Sequence, residues 1–221
     1  MIHYDKSYSF GIDCLLLLDF ANMKKGKSLV DIGSGNGILA LGANSYYNLS
    51  EVFAIEIQDA KVNQLRENIK LNEIENIRTI HDDLKNVDLG TNVIDYIITN
   101  PPYYKITANI ANDDEEYLIS RQEKYMNLHD IFSFANKTLK DRGKLFMIHK
   151  PERMVDIFRA SGNLIPKRIR FAHSTFDKKP QFILIEFVKN ANDGLKVEDP
   201  LIIYKNGEYT DEVKKICGLD E

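Results

Sequence analysis

Ser28-Leu29-Val30-Asp31-Ile32-Gly33-Ser34-Gly35-Asn36-Gly37 is the stretch from which the fold can be read. Its first half is an apolar run of strand length, and an apolar helical segment follows from Ile38 onward. Strand, glycine turn and helix in that order bring backbone amides and a helix N-terminus close to a ligand. The plainer reading is a tight strand-to-helix turn, which also uses glycine. A nicotinamide-dinucleotide fingerprint needs Gly or Ala three places after Gly35, where this chain has Ile38, so the loop does not fit NAD.

Outward from the loop, strands and helices alternate. Val52–Ile55 reads as a second strand that ends in Glu56-Ile57-Gln58-Asp59. Glu56 lies 23 residues after Gly33, near the spacing at which an acidic group at a strand end meets a ribose, and carboxylate oxygens suit two hydroxyl donors. Asp59 is expected to N-cap the next helix, whose Val62, Leu65 and Ile69 share one face. Ile77–Ile80 reads as a third strand, followed by His81-Asp82-Asp83-Leu84. Upstream, Ile12, Leu15, Leu16, Phe20 and Met23 recur at helical spacing, which predicts a helix ending near Lys24-Lys25-Gly26. Phe10 at its entry is a staple against the helix or a lid over a cofactor.

A fourth strand, Val93–Thr99, must stop at Asn100 because Pro101 and Pro102 continue neither ladder nor helix. Two prolines fix φ, remove two N–H donors and leave stiff carbonyls between the Asn100 amide and the Tyr103 ring. The Asn100 side-chain oxygen and the Pro101 carbonyl can each accept one N–H of a planar amine while Tyr103 stacks on its ring. A turn with two prolines and a packed tyrosine is the structural alternative.

Past this point, Ile106–Glu123 has no clean period and reads as a flap near the target site. Leu128, Ile131, Phe132, Ala135 and Leu139 predict an amphipathic helix, Lys144–His149 a fifth strand, and Pro151 the start of another helix. Lys167–Ser174 and Gln181–Val188 read as a final hairpin. The pattern predicts an α/β fold: a doubly wound, mostly parallel sheet with a C-terminal antiparallel hairpin. Between Arg142 and Pro180, ten basic residues face three acidic ones, a local balance of +7 in a chain of net charge −4. Beside a base-accepting motif this excess reads as a phosphate-contact surface, with Lys150, Arg153, Lys167, Arg168, Arg170, Lys178 and Lys179 as candidates and Tyr104 and Lys105 next to the motif; a solvated helix face is the alternative.

The 221 residues suit one domain, and 43% hydrophobic with 28% charged residues is ordinary globular composition. The Leu15–Leu18 run is too short to span a membrane, so a cytoplasmic location is expected. Cys14 and Cys217 are read as free thiols, and the five histidines show no metal-ligand spacing, so no metal is expected.

Four features stand in one order, each at a strand's carboxyl end: glycine loop, acid after the second strand, Asp after the third, Asn-Pro-Pro-Tyr after the fourth. Asp-x-Gly-x-Gly-x-Gly, from Asp31 to Gly37, resembles the first motif of class I S-adenosylmethionine methyltransferases, and Asn100-Pro101-Pro102-Tyr103 resembles that of the amino-methyltransferases among them. The resemblance implies a Rossmann-like fold and S-adenosyl-L-methionine as cofactor. It would be held by Phe10, Asp31, Gly33, Ser34, Gly35, Asn36, Gly37, Glu56, Ile57, Asp82, Asp83, Leu84 and Asn100, with Asp83 accepting from the cofactor adenine.

Only 27 residues precede Ser28, and Ser9–Asp13, Arg170–His173, Lys178–Pro180 and the tail Pro200–Thr210 look like the bacterial tRNA1(Val) adenine-37 N6-methyltransferase family over nearly the full length. That implies a tRNA partner; the chain is expected to form a single domain over 1–221, with a helical extension over 1–27 and a tail over 190–221 packing on it, and to be a monomer, although the sequence does not fix the oligomeric state. Catalysis would rest on Asn100, Pro101, Pro102 and Tyr103. A protein glutamine-amide methyltransferase, another adenine-N6 enzyme and a noncatalytic RNA-binding relative are the alternatives.

Overall fold

The computed structural model describes residues 11–103 and 127–219. Phe10, Tyr104, Lys105 and the expected flap over 106–123 lie outside them. The first helix, α1 (Ile12–Ala21), is apolar on nearly every side and buries Leu16, Leu17, Leu18, Phe20 and Ala21. Its all-round apolarity is explained by its seat, since α1 packs on α2 (Ile38–Tyr47) and on two sheet strands as well as on the last helix.

Strand β1 (Ser28–Ile32) lies at the middle of a parallel group, with β2 (Glu51–Glu56) and then β3 (Ile77–His81) on one side and β4 (Ile94–Thr99) on the other. Helix α3 (Asp59–Leu71) connects β2 to β3. The register sets Ile32 beside both Ile55 and Thr99, so the three chains leave the sheet at one level. Beyond β4 come β5 (Leu139–His149), β7 (Pro180–Lys189) and β6 (Leu164–His173), with β7 antiparallel to both neighbours. The order is β3-β2-β1-β4-β5-β7-β6-β8, with β8 (Lys196–Val197) and β9 (Leu201–Ile202) both on β6. It is the doubly wound, mostly parallel sheet with a closing antiparallel pair that the alternation predicts.

Period-two alternation sorts the side chains to two faces. Tyr96 and Ile98 of β4 enter one core cluster with α1 and α2. Ile97 enters the other, with α4 (Leu128–Thr138) and α5 (Met154–Ala160), and so does Ile94, which a register shift between Ile94 and Tyr96 takes out of the alternation. Helices therefore cover both faces, as a buried parallel sheet requires. The tail continues through a small hairpin, β10 (Tyr204–Lys205) and β11 (Glu208–Tyr209), into α6 (Asp211–Ile216), whose Val213 and Ile216 join the cluster holding α1.

The amino edge of the sheet is braced by Asp95. It accepts from Lys140 (2.9 Å), Lys27 (3.2 Å) and the Ser28 hydroxyl (3.0 Å). Partial burial works against its ionisation, yet Lys140, Ser28 and Lys27 hold the carboxyl at about 2. The carboxyl edge is left for loops. Among the described residues no helix is long and apolar enough to cross a membrane.

Candidate active site

The glycine loop leaves β1 and doubles back on β2. The Gly33 and Ser34 amides donate to the Ile55 carbonyl (2.9 and 3.0 Å), and the Gly37 amide closes the turn on the Ser34 carbonyl (2.8 Å). Gly35 and Gly37 both have positive φ, +56° and +94°. A Cβ at Gly37 would lie 2.4 Å from a Leu65 methyl, so that glycine serves packing; a Cβ at Gly35 would meet nothing within 4 Å, so that glycine leaves an open cradle. Asn68 of α3, fully buried, steadies the loop by donating to the Asn36 carbonyl (2.8 Å). Sequence reasoning missed Asn68, which sits 32 residues from its partner.

Glu56 is 5% exposed, and its carboxylate is bound by backbone amides: Gly35 (2.9 Å) on one oxygen, Ile57 and Gln58 (2.9 Å each) on the other. It ties the glycine loop to the end of β2, and with three of about four acceptor positions used it retains capacity for one hydroxyl. Asp59 differs from expectation: Gln58 occupies the cap position of α3, and Asp59, one residue inside, faces His81 at 3.4 Å. Asp83 caps a short 3-10 turn (Leu84–Asn86) by accepting from the Lys85 amide (3.0 Å), while Asp82 accepts from the Asp83 amide (2.7 Å) and Asn86 (2.9 Å). Leu84 is buried beneath them.

Asp31 is the anomaly of the loop. It is fully buried, and neither carboxylate oxygen has a hydrogen-bond partner. Burial pushes its pKa up from 3.8 to about 7, and the nearby Ser34 hydroxyl and Ala40 amide offset that only in part. An orphaned buried carboxylate beside an open backbone cradle suits a ligand that carries a cationic group. The sulfonium and ammonium groups of S-adenosylmethionine meet that requirement, so the residues present fit this cofactor.

At the end of β4, Asn100 is held by α1. Its Nδ2 donates to the Asp13 carboxylate (3.0 Å) and contacts the Cys14 sulfur (3.4 Å). With the amide nitrogen on a carboxylate, the amide oxygen is left as an acceptor, and in this structure it faces the Tyr103 hydroxyl (2.7 Å). Cys14 is a protonated thiol, since burial and then Asp13 push its pKa to about 12. Pro101 is buried, and Pro102 is partly so.

Tyr103 departs from its expected role as an outward stacking surface. Its ring packs inward beside His149 (5.6 Å between centroids) and Phe182 (5.8 Å), with the Lys150 ammonium 5.0 Å from its centroid. The reason is its hydroxyl, which finds Asp13 at 2.5 Å and the Asn100 oxygen at 2.7 Å. Burial and then the Asp13 charge raise its pKa, so it stays a phenol. His149 is neutral near pH 7, because burial and the Arg153 and Lys150 charges lower its pKa to about 4.

The basic region divides. Arg168 is turned inward: its guanidinium lies 3.9 Å over the Phe20 ring, donates to the Phe20 carbonyl and pairs with Glu186 (3.1 Å) and Glu198 (3.4 Å). Arg170 pairs with Glu212 (2.7 Å) and donates to the Asp199 carbonyl (2.9 Å). Both hold the tail rather than face a phosphate. Lys167 donates to the Asn192 and Asp193 carbonyls (3.1 Å each) toward the amino end of β6, and Arg153 pairs with Asp156 (3.1 Å). Lys150 stays at the rim of the site, over Tyr103 and Phe182.

Lys178 and Lys179 are exposed on the loop between β6 and β7. Since His173 pairs with Pro180 and His149 with Ile183, this loop rises from the same edge as Asn100. At its tip Phe176 is 85% exposed, an aromatic the sequence reading passed over. The tip is ordered by the Lys178 amide on the Thr175 carbonyl (3.1 Å) and the Thr175 hydroxyl on Asp177 (2.6 Å).

Comparison with known proteins agrees with this geometry. Residues 11–157 match the model of the methyltransferase small domain family. A Haemophilus influenzae protein named tRNA1(Val) (adenine(37)-N6)-methyltransferase is 27% identical over 92% of this chain and 87% of its own; a Proteus mirabilis protein of the same name is 26% identical over 90% and 82%. Among solved structures, an Agrobacterium tumefaciens protein described as a predicted O-methyltransferase superposes with a TM-score of 0.75 at 18% identity, covering 93% of this chain and 95% of its own. TrmN from Thermus thermophilus superposes with a TM-score of 0.59 at 18% identity, over 80% of this chain and 48% of its own. With a glycine cradle on β1, an acid ending β2 and Asn-Pro-Pro-Tyr ending β4, this chain belongs to the methyltransferase small domain family.

Proposed function

We propose that this protein is an S-adenosylmethionine-dependent methyltransferase acting on the exocyclic N6 of an adenine in tRNA, namely adenine-37 of tRNA1(Val). The observation that carries the reading is the Asn100 amide, fixed by Asp13 so that its oxygen is an acceptor, at the strand end next to the Gly33–Gly37 cradle and the orphaned Asp31. The names of the relatives supply the nucleotide and the tRNA.

The cofactor, when bound, supplies an electrophilic methyl group on a sulfonium. Asp31 would face its cationic end, the Gly33–Gly37 backbone would carry its length, Glu56 would accept from the ribose, and Asp83 with Ile57 and Leu84 would border its adenine. Adenine N6 is a poor nucleophile because its lone pair is delocalised into the ring. Hydrogen bonds accepted by the Asn100 oxygen and the Pro101 carbonyl favour a pyramidal nitrogen with its lone pair directed outward. Alignment and exclusion of water then account for most of the acceleration. Phe176, Lys178 and Lys179 offer a stacking surface and two phosphate-binding cations at the same edge, which supports RNA over a protein glutamine amide, a group the same clamp would also accept.

The test is incubation with total tRNA and labelled cofactor, followed by nucleoside mass analysis. N6-methyladenosine at position 37 of tRNA1(Val) is expected; label on a protein amide instead would overturn the reading.

A further inference from the structure

We propose that the cavity between the β10–β11 hairpin and α6 is a second RNA site, which takes an unpaired nucleotide of the substrate other than the methylated one. The inference rests on the tRNA reading above and deepens it. The hairpin is short but firmly mounted. Tyr204 pairs with Tyr209 and Lys205 with Glu208 across Asn206-Gly207, whose φ values of +54° and +84° suit a type I′ turn. Two such strands would not hold alone. Here the Ile203 and Tyr204 amides donate to the His173 and Ser174 carbonyls (2.8 Å each), and the Thr210 amide to the Ile203 carbonyl (3.0 Å). The Tyr204 and Tyr209 rings stack, with 5.1 Å between centroids and 19° between planes, and Tyr204 is 37% exposed.

The cavity has a volume of about 580 Å³ and is lined by Tyr204, Gly207, Glu208, Tyr209, Lys214 and Leu219, room enough for a nucleoside. Tyrosine rings and the exposed Leu219 suit the apolar faces of a base, and the Lys214 ammonium suits a phosphate. Glu208 meets that ammonium only at 3.7 Å and is itself exposed, so the lysine is loosely held. The place of the cavity in the fold selects the occupant. Through the Tyr204–Ser174 hydrogen bond the hairpin adjoins the loop that carries Phe176, Lys178 and Lys179, at the same edge as Asn100. From β4 across β5, β7 and β6 to β9 is four strand spacings, about 19 Å, which one folded RNA can span. Lys150, Lys178 and Lys179 lie along that way, where a phosphate backbone would run from the target base to the hairpin.

The experiment measures binding and methylation of transcribed tRNA1(Val) by the full chain, with circular dichroism and S-adenosylmethionine affinity as folding controls. Tyr204→Ala should weaken tRNA binding and raise its KM by on the order of tenfold, as loss of one stacked base implies, and lower kcat far less. Tyr204→Phe, which keeps the ring, should bind as wild type does. Lys214→Gln should lower the log–log salt slope of binding by about one unit. Glu208→Gln should act in the opposite direction and tighten binding, which loss of a merely structural ion pair would not do. Should Tyr204→Ala fail the folding controls, the two charge variants decide. Wild-type affinity and salt slope in these variants, in an enzyme that methylates the adenine, overturn the second site alone. A change of oligomeric state in light scattering on the same substitutions, with tRNA binding intact, also overturns it and gives the cavity to a second copy of the chain. A wild type that neither binds nor methylates tRNA overturns the adenine reading with it.

Discussion

Replacing Asp31 by asparagine should make the ligand-free protein progressively more stable relative to wild type as pH rises. The Asp31 carboxyl is buried without a hydrogen-bond partner, and its pKa rises from 3.8 to about 7. Below pH 3.8 both folded and unfolded chains hold the proton, and the site costs nothing electrostatic. Between 3.8 and about 7 the unfolded chain ionises while the folded one resists, so stability falls as pH rises, and above about 7 the loss is complete. At about 1.4 kcal/mol per pH unit, the whole loss is roughly 4 kcal/mol, of which roughly 3 accrues between pH 5 and pH 8. The substituted amide would carry its own cost of burial, but it does not titrate, so that cost cancels when the two pH values are compared. Urea unfolding followed by circular dichroism, without cofactor, should therefore show the stability difference between variant and wild type growing by about 3 kcal/mol from pH 5 to pH 8. The same variant should bind S-adenosylmethionine more weakly. A difference that is equal at both pH values would refute the reasoning, because Asp31 would then titrate alike in folded and unfolded chains.

Asn100→Ala should lower kcat by about 100- to 1,000-fold, as loss of an oriented polar group in an active site does, and lower S-adenosylmethionine affinity, measured by calorimetry, far less. Reversing Lys178 and Lys179 to Glu should weaken tRNA binding and flatten its salt dependence by about two units of log–log slope, read from titrations at several salt concentrations. Arg168→Ala should instead cost about 2–4 kcal/mol of stability in denaturant titration, because the Phe20 carbonyl loses its donor and buried Glu186 is left with Lys144 alone, with the salt slope unchanged. Gly37→Ala should cost about 1–3 kcal/mol, since φ is +94° and the new methyl would press on Leu65 and Leu41; an unchanged denaturation midpoint would show that these side chains yield freely.

What the sequence made legible is what short-range pattern encodes. The strand ending at Ile32, the glycines at positive φ, the acid closing β2 and the stop at Pro101 each follow from residues within a few places of one another. The sheet followed because apolar runs alternate with amphipathic ones. What escaped depends on partners far away in the chain. Arg168 and Arg170 look like phosphate ligands until the tail brings Glu198, Asp199 and Glu212 beside them. Tyr103 looks like an outward platform until α1 sets a carboxylate within reach of its hydroxyl. Asp13 did stand in a segment, Ser9–Asp13, that resembled the family, yet nothing local says that its partner is Asn100. Phe176 was legible as an aromatic between turn residues, and its exposure was not.

The tail has a consequence for how the molecule becomes competent. The cofactor cradle is assembled from residues 31–84, all present early in synthesis, whereas α1, which delivers Asp13 to the target side, is wedged in place by Val213 and Ile216 and by the Arg168 stack on Phe20. A chain cut before Asp211 should therefore loosen α1 and its Asp13–Asn100 contact while the Gly33–Gly37 turn, which leans on β2 and α3, keeps its supports.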